Sequence, residues 1–176
     1  MSTTLVIGGC RSGKSSHALF IADRIGNARK IFIATCVPQD EEMHQRVSRH
    51  KTERGAGWTA VETPILLPEA IGNIGPNADV ILVDCLTLWV SNLMMEHANF
   101  DASKELFAAH TCRLIESLRT AACPVILVTN EVGAGIVPDN PLARAFRDAV
   151  GHVNQRIAAC ADQVIWMVAG IPVKIK

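Results

Sequence analysis

The sequence predicts an α/β fold in which a mostly parallel central sheet carries helices on both faces. Two observations predict it. Short apolar runs rich in Val, Ile and Leu alternate with longer helix-prone stretches, which is the pattern of βαβ units. The first apolar run leads directly into GGCRSGKS at Gly8–Ser15, a match to the phosphate-binding pattern G-x-x-x-x-G-K-S/T between a strand and a helix. With 176 residues and 49% hydrophobic content, the chain is long enough for one well-packed P-loop domain, 1–176.

The first half of the chain supplies four predicted strands. One begins at Leu5, and KIFIAT at Lys30–Thr35 is a second apolar, β-branched run. WTAVET at Trp58–Thr63 alternates in hydrophobicity until Pro64 stops it. ADVILVD at Ala78–Asp84 is apolar enough to be buried on both sides, and it ends in a carboxylate.

Helices are predicted between these strands. Ser16–Ile25 carries apolar residues at helical spacing, and Gly26 closes it. Asp40–Arg54 opens with acidic residues that suit a helix N-terminus and ends before two glycines. Ile65–Ile74 is predicted as a short helix or a loop.

The second half repeats the alternation. Its predicted helices are Leu86–Met95, Ser103–Thr120 and Pro141–Ala161, and its strands are Pro124–Thr129 and Gln163–Val168, with Val173–Lys176 as an added edge. No internal repeat or linker interrupts the pattern.

The glycine-rich segment predicts a nucleotide site. Glycines let the backbone curl so that several N–H groups converge on a phosphate, and the following helix points its positive end at the same anion. Lys14 is expected to neutralise the β- and γ-phosphates, and the Ser15 hydroxyl to bind Mg²⁺. The predicted phosphate-binding residues are Gly8, Gly9, Cys10, Arg11, Ser12, Gly13, Lys14 and Ser15.

A phosphate-binding loop usually works with an acid at the end of a neighbouring buried strand, which holds Mg²⁺ or its waters. Asp84 is the first candidate, because four apolar residues lead directly to it. Glu131, two residues beyond its strand, is the second. The alternative for either acid is that it caps the following helix.

His50 is flanked on one helical face by Arg46 and Arg54, each four residues away. Two cations beside an imidazole favour its neutral form, and a neutral nitrogen can attack an α-phosphate whose charge the arginines stabilise. From spacing alone, a structural role is the more common explanation for His50: a half-buried histidine packed beside Met43 and Val47.

The loop Asn130–Asn140 is long and leaves the carboxyl end of a strand, the edge where open α/β sheets bind ligands. The helix after it places Arg144, Arg147 and Asn154 on a face that either contacts the ligand or is simply solvated.

Composition argues against several other classes of protein. The formal net charge is zero, so no electrostatic case for nucleic acid or membrane binding exists, and no apolar run is long enough to span a membrane. The six cysteines include no C-x-x-C pair, so a zinc site is not predicted. A cytoplasmic location, where the cysteines stay reduced, is expected.

Three segments, GGCRSGKS, RVSRHKTERGAGW and VTNEVGAGIVPDNPLARAFRDAVGHVNQR, resemble the bifunctional adenosylcobinamide kinase/adenosylcobinamide-phosphate guanylyltransferase family of cobalamin biosynthesis. The resemblance covers essentially the whole chain. It implies that ATP or GTP phosphorylates adenosylcobinamide, and that GMP is then transferred from GTP to adenosylcobinamide phosphate with release of pyrophosphate. It also implies a homo-oligomer, since the family includes propeller-like trimers.

The resemblance places His50 at the position of the family's guanylylated histidine. The residues it implies for the guanine nucleotide site are Ala34, Thr35, Cys36, Lys51, Thr52, Glu53, Arg54, Glu62 and Asp84. Glu62 is suited to accept hydrogen bonds from the guanine N1–H and N2–H groups, a contact that adenine cannot make. Two alternatives stay open: a P-loop small-molecule kinase without guanylyl transfer, and a non-catalytic GTP-binding switch.

Overall fold

The protein is described by a computed structural model that covers residues 1–38, 40–55, 57–96 and 100–176, without the side chains at 42, 46, 49–51, 53 and 100–106. Within these residues the strands are β1 (Thr3–Gly8), β2 (Lys30–Ala34), β3 (Trp58–Glu62), β4 (Val80–Asp84), β5 (Val125–Asn130), β6 (Gln163–Val168) and β7 (Ile171–Lys174). The helices are α1 (Lys14–Ile25), α2 (Glu41–Arg54), α3 (Leu67–Ile74), α4 (Leu86–Glu96), α5 (Phe100–Arg119) and α6 (Pro141–Cys160), with a short 3-10 turn at Gly75–Asn77.

The α/β prediction is confirmed. Ile65–Ile74, predicted as a helix or a loop, contains the helix α3, and α5 begins three residues before the predicted start. The last strand also begins earlier than predicted. Ala169 and Gly170 both have positive φ, of 50° and 83°, and such a two-residue turn lets β7 fold back antiparallel to β6 from Ile171 onward.

All seven strands belong to one sheet with the order β3-β2-β4-β5-β1-β6-β7. Every pairing is parallel except that of β6 with β7. The order places β5 between β4 and β1, so the strand that ends at Asp84 and the strand that ends at Gly8 are not neighbours.

Side chains that alternate along the strands build two cores. On one face, here called the α1 face, Val6, Leu82, Ile126 and Val128 pack with α1. On the other face, here called the α6 face, the intervening strand residues pack against α3, α4, α5 and α6. The N-terminus of α1 therefore lies over the carboxyl ends of the central strands, on the α1 face.

Register brings five strand ends to this edge. Ala34 pairs with Glu62 on one side and with Asp84 on the other, while Gly8 pairs with Asn130. Alternation from Phe32 and Leu82, both on the α1 face, places Ala34 and Asp84 on that face too.

Candidate functional site

The turn from β1 into α1 requires glycine at Gly8. A Cβ atom at Gly8 would lie 2.5 Å from the Ser12 Oγ and 2.8 Å from the Met167 carbonyl oxygen, so the loop closes this tightly only without a side chain. Gly13, which precedes α1, has a φ of 89°, in the left-handed region that glycine adopts without strain.

The hairpin of β6 and β7 supports the loop from outside. The Gly170 N–H donates to the Ser12 carbonyl at 3.0 Å, and a Cβ at Gly13 would meet the Gly170 Cα at 3.4 Å. This close backbone contact holds the phosphate-binding loop in its curled shape.

Polar groups of the loop are positioned for an anion. The Lys14 ammonium donates to the Gly9 carbonyl at 3.1 Å, across the curl of the loop. The Ser12 hydroxyl is buried and has no hydrogen-bond partner among the described residues. Ser15 lies half-buried in the first turn of α1, while Cys10 and Arg11 are exposed. A bound phosphate would offer acceptors to the ammonium and to the buried hydroxyl.

The two candidate acids differ in orientation. Asp84 is half-buried at the end of β4 on the α1 face, and its carboxylate makes no hydrogen bond within the described part of the chain. The Glu131 carboxylate accepts the Gly133 N–H at 2.6 Å and lines a cavity on the α6 face. The arrangement therefore favours Asp84 over Glu131 as the acid that faces the phosphate-binding loop.

Thr35 and Cys85 are tied to each other behind Asp84. The Thr35 hydroxyl donates to the Cys85 carbonyl at 2.7 Å and accepts from the Cys85 N–H at 2.8 Å, and both residues are buried. The Asn92 amide donates to the Thr35 carbonyl at 2.7 Å. Thr35 thus joins the ends of β2 and β4 and supports the site, and its hydroxyl is already committed. Cys36 follows it, half-buried.

Burial, reinforced by the Asp84 carboxylate, raises the pKa of Cys85 to about 12, and the Lys14 ammonium opposes the rise. The thiol is therefore neutral at physiological pH and does not act as a nucleophile.

Arg54 anchors the last turn of α2 to the sheet. Its guanidinium lies 3.6 Å from the centroid of the Phe32 ring, on the α1 face. Burial lowers the pKa of Arg54, and the Asp84 carboxylate opposes that shift. Phe32 pairs with Leu82, two residues before Asp84, so the helix that contains residue 50 ends over this part of the sheet.

The remaining predicted residues are only partly covered by the structure. Glu62 is exposed at the end of β3, in register with Ala34, and Thr52 is exposed with its hydroxyl donating to the Ser48 carbonyl at 3.2 Å. His50, Lys51 and Glu53 lie in α2, but their side chains are outside the described part of the chain.

The three polar residues predicted on the face of α6 hold the preceding loop instead of presenting a free ligand face. Arg144 donates to the carbonyls of Pro138 and Asp139, and Arg147 donates to the Gly133 carbonyl at 2.7 Å. Asn154 is buried and accepts the Thr129 hydroxyl at 2.8 Å. Phe32 and this buried network were missed from the sequence, because no motif marks them.

Two cavities flank α6. One, of about 640 Å³, lies between α6 and the α6 face of β1 and β6, and the other, of about 550 Å³, lies between α5 and α6. Neither is lined by the phosphate-binding loop. Within the described residues, no cluster of three or more His, Cys, Asp or Glu side chains is arranged to hold a metal. No described helix is both long and apolar enough to cross a membrane.

The site combines a glycine loop and a lysine between the first strand and the first helix with an acid two strands away. This arrangement in a parallel sheet defines a P-loop nucleoside triphosphate-binding protein. Solved structures share the fold. A RadB recombinase covers 94% of this chain and 73% of its own at a TM-score of 0.52 and 16% identity. The flagellar accessory protein FlaH from Methanocaldococcus jannaschii covers 99% and 78% at a TM-score of 0.53 and 13% identity.

Within that class, the model of the cobinamide kinase / cobinamide phosphate guanyltransferase family matches residues 4–175, and the chain belongs to this family. Bifunctional adenosylcobalamin biosynthesis proteins CobU from Escherichia coli and Salmonella typhimurium are 41% and 43% identical, each over 98% of both chains. The CobP protein of Pseudomonas aeruginosa is 36% identical over 98% of this chain and 96% of its own. The chain is therefore an enzyme of cobalamin biosynthesis, and neither a plain kinase nor a non-catalytic switch is supported.

Proposed function

We propose that Gly8–Ser15 binds the nucleotide triphosphate in both reactions of this enzyme. The observation that carries the proposal is a set of donors in the loop: a buried Ser12 hydroxyl without a partner among the described residues, a Lys14 ammonium bonded to a loop carbonyl, and the N-terminus of α1. In the kinase step the hydroxyl of the aminopropanol arm of adenosylcobinamide attacks the γ-phosphorus of ATP or GTP. The bond from that phosphorus to the bridging oxygen breaks, the nucleoside diphosphate leaves, and the hydroxyl proton is lost.

Ser15 and Asp84 are the proposed protein ligands or water-mediated contacts of Mg²⁺. Mg²⁺ in nucleotide enzymes typically takes one or two protein oxygens, with the rest from phosphates and water. The absence of a three-residue acidic or histidine cluster among the described residues fits that mode of binding. Asp84 fits because its carboxylate has no hydrogen bond within the described chain and faces the side of the sheet that α1 covers. When bound, Mg²⁺ would neutralise the phosphate charge that develops during transfer.

For the second reaction we propose that the imidazole of His50 attacks the α-phosphorus of GTP. The bond to the β-phosphate breaks, pyrophosphate leaves, and a guanylyl-histidine forms. The phosphate of adenosylcobinamide phosphate then attacks the same phosphorus and releases His50, which yields adenosylcobinamide-GDP. Support comes from Arg54, which brings the C-terminal turn of α2 to Phe32 and Asp84. Residue 50 lies one helical turn earlier, about 6 Å along the axis.

The guanine nucleotide is proposed to lie along the carboxyl ends of β2, β3 and β4. Ala34, Glu62 and Asp84 are in register there, and adjacent strands are about 4.8 Å apart, so the row spans about 10 Å. That length suits a nucleoside monophosphate between a base at Glu62 and phosphates at the loop. Lys51, Thr52 and Glu53 stay proposed contacts from α2.

The test uses the two labels of GTP on the wild-type enzyme. The γ-³²P label is expected to move to adenosylcobinamide, whereas the α-³²P label is expected on the protein in an acid-labile, hydroxylamine-sensitive adduct. Chelation of Mg²⁺ with EDTA should stop both transfers. Wild-type protein that transfers GMP to adenosylcobinamide phosphate without ever becoming labelled would contradict the covalent intermediate.

We further propose that the chain works as a homo-oligomer, with a trimer as the family precedent. The hairpin of β6 and β7 leaves an apolar surface uncovered: Trp166 is 45% exposed and Ile171 is 65% exposed. Trp166 pairs with Val173, and Val168 with Ile171, so these four side chains share one face. Contiguous apolar surface of this kind marks association, here with a second copy of the chain.

Replacing Trp166 by aspartate is expected to convert the oligomer to monomer, since a charge at the centre of an apolar contact cannot be buried without a partner. Light scattering after size-exclusion chromatography measures the mass. Phe20→Asp, which changes an aromatic residue 56% exposed on α1, is the matched control and should leave the mass unchanged. A wild-type enzyme that is monomeric at micromolar concentration would overturn the proposal.

The whole of 1–176 is proposed to act as one catalytic domain, because every strand joins one sheet. None of the six cysteines forms a disulfide in the structure, which suits the reducing cytoplasm proposed as the location of the enzyme.

A further inference from the structure

Asn130 belongs to the segment VTNEVGAGIVPDNPLARAFRDAVGHVNQR, but the reactions proposed for the enzyme give its side chain no role. It is the last residue of β5, the strand between β4 and β1, and its Cα is paired with that of Gly8. Adjacent strands lie about 4.8 Å apart, so Asn130 sits beside the entrance to the phosphate-binding loop. On its other side, β4 ends at Asp84.

The backbone of Asn130 is fixed from the α6 face. Its N–H donates to the Thr87 hydroxyl at 2.8 Å, and its carbonyl accepts the Asn154 amide at 3.1 Å. The Thr129 hydroxyl joins the same buried network through Asn154 at 2.8 Å. Two side chains, from α4 and α6, therefore hold the backbone of Asn130 directly, and the Thr129 hydroxyl supports both of them.

The side chain of Asn130 points to the opposite face. Ile126 and Val128 are in the core of the α1 face, so alternation puts Asn130 on that face as well. The residue is half-buried, and its carboxamide makes no hydrogen bond to any other residue that the structure describes. Its donor is therefore available to a ligand at this edge of the sheet, on a backbone that Thr87 and Asn154 hold in place.

The surroundings define that ligand. On the β1 side, the Lys14 ammonium bonds to the carbonyl of Gly9, the residue after the one that pairs with Asn130. On the β4 side, Asp84 pairs with Val128, two residues before Asn130. In P-loop enzymes the lysine and the magnesium-binding acid both act on the terminal phosphates, and a neutral amide N–H is a suitable donor to the oxygens of the transferred group.

We propose that Asn130 is a catalytic residue of the kinase step, whose side-chain amide donates a hydrogen bond to an oxygen of the γ-phosphoryl group as it is transferred. The inference rests on the proposed role of Gly8–Ser15 in binding the triphosphate. Guanylyl transfer breaks the bond at the α-phosphate instead, so the contribution of Asn130 should be much smaller there.

The test compares the two reactions in Asn130→Ala and in the isosteric Asn130→Asp. Loss of one transition-state donor lowers kcat by about 10²-fold. The kinase kcat is expected to fall by that amount, while the nucleotide KM changes by less than about threefold. The fold-loss in kinase kcat should be at least about tenfold larger than the fold-loss in the rate of labelling with α-³²P GTP. Asn130→Asp should be equally defective as a kinase, because a carboxylate repels the phosphoryl oxygens.

Thr129→Val is the control for a purely structural effect. It removes the hydroxyl of the neighbouring residue from the buried network and should lower the melting temperature without separating the two activities. Asn130 variants that behave like Thr129→Val, or that keep kinase kcat within twofold of wild type, would overturn the inference. If Lys14→Ala also kept full kinase activity, the result would contradict the proposed triphosphate site itself. If the Asn130 variants kept full kinase activity but Lys14→Ala did not, only the role of Asn130 would be contradicted.

Discussion

Replacement of His50 by alanine is expected to abolish the covalent label from α-³²P GTP and to stop formation of adenosylcobinamide-GDP. Removing the attacking nucleophile of a covalent mechanism typically costs on the order of 10³-fold or more, because no other group forms the bond. The kinase step does not use the imidazole, so the loss of guanylyl transfer should exceed any change in the kinase rate by at least about 10²-fold. Gel autoradiography of the protein and product analysis measure the two effects.

His44→Ala is the matched control, since His44 is an exposed histidine on the same helix, α2. It should label like the wild type. Addition of imidazole to His50→Gly offers a second readout, because a diffusible base that restored turnover would identify the missing group as the nucleophile. Full labelling of His50→Ala would place the adduct on another residue and end the proposed role of His50.

Replacement of Lys14 by alanine is expected to impair both reactions. The ammonium is the one described side-chain cation bonded into the loop, and it would neutralise charge on the β- and γ-phosphates in the kinase step and on pyrophosphate as it leaves in the transferase step. A preorganised donor of this kind is worth about 10²–10³-fold in kcat. Lys14→Arg should not restore activity, because the planar guanidinium does not fit a loop that closes on a compact ammonium. Steady-state kinetics of both reactions measure the effect.

Lys30→Ala is the control for loss of a positive charge. Lys30 pairs with Asp23 at 2.6 Å at the beginning of β2, at the edge of the sheet opposite the phosphate-binding loop. Its loss should leave both kcat values within about twofold, as expected for a surface ion pair. A Lys14→Ala enzyme with both activities within threefold of wild type would contradict the proposed triphosphate site.

Much of the fold was predictable because its signals are local. The β-branched runs at Lys30–Ala34, Val80–Asp84 and Val125–Asn130 identify their strands without reference to the rest of the chain. The hairpin of β6 and β7 was predicted only in part. Its turn depends on a positive φ at Ala169, and alanine rarely adopts that conformation, so the sequence contains no signal for it.

The site was less predictable than the fold. Asp84 is preferred to Glu131 in the sequence because four apolar residues lead directly to it, whereas the structure adds that the Glu131 carboxylate bonds to Gly133 on the other face. Thr35 is predicted to line the nucleotide site, and nothing in the sequence indicates that its hydroxyl joins β2 to Cys85. Arg147 was expected to face either ligand or solvent, yet it holds the loop at Gly133. Each of these outcomes depends on a contact between distant segments.

The amino-acid sequence was sufficient for the alternation of strands and helices, for the glycine loop with Lys14, and, through its three motifs, for membership of the enzyme family. The tertiary structure was needed to show that Asn130 lies next to Gly8, that Asp84 ends the strand beyond it, and that Arg54 at the end of α2 packs on Phe32. The physical reason is the sequence distance over which each feature is encoded. Periodicity and backbone curvature are encoded in neighbouring residues, whereas strand order and register arise from pairing across the whole chain.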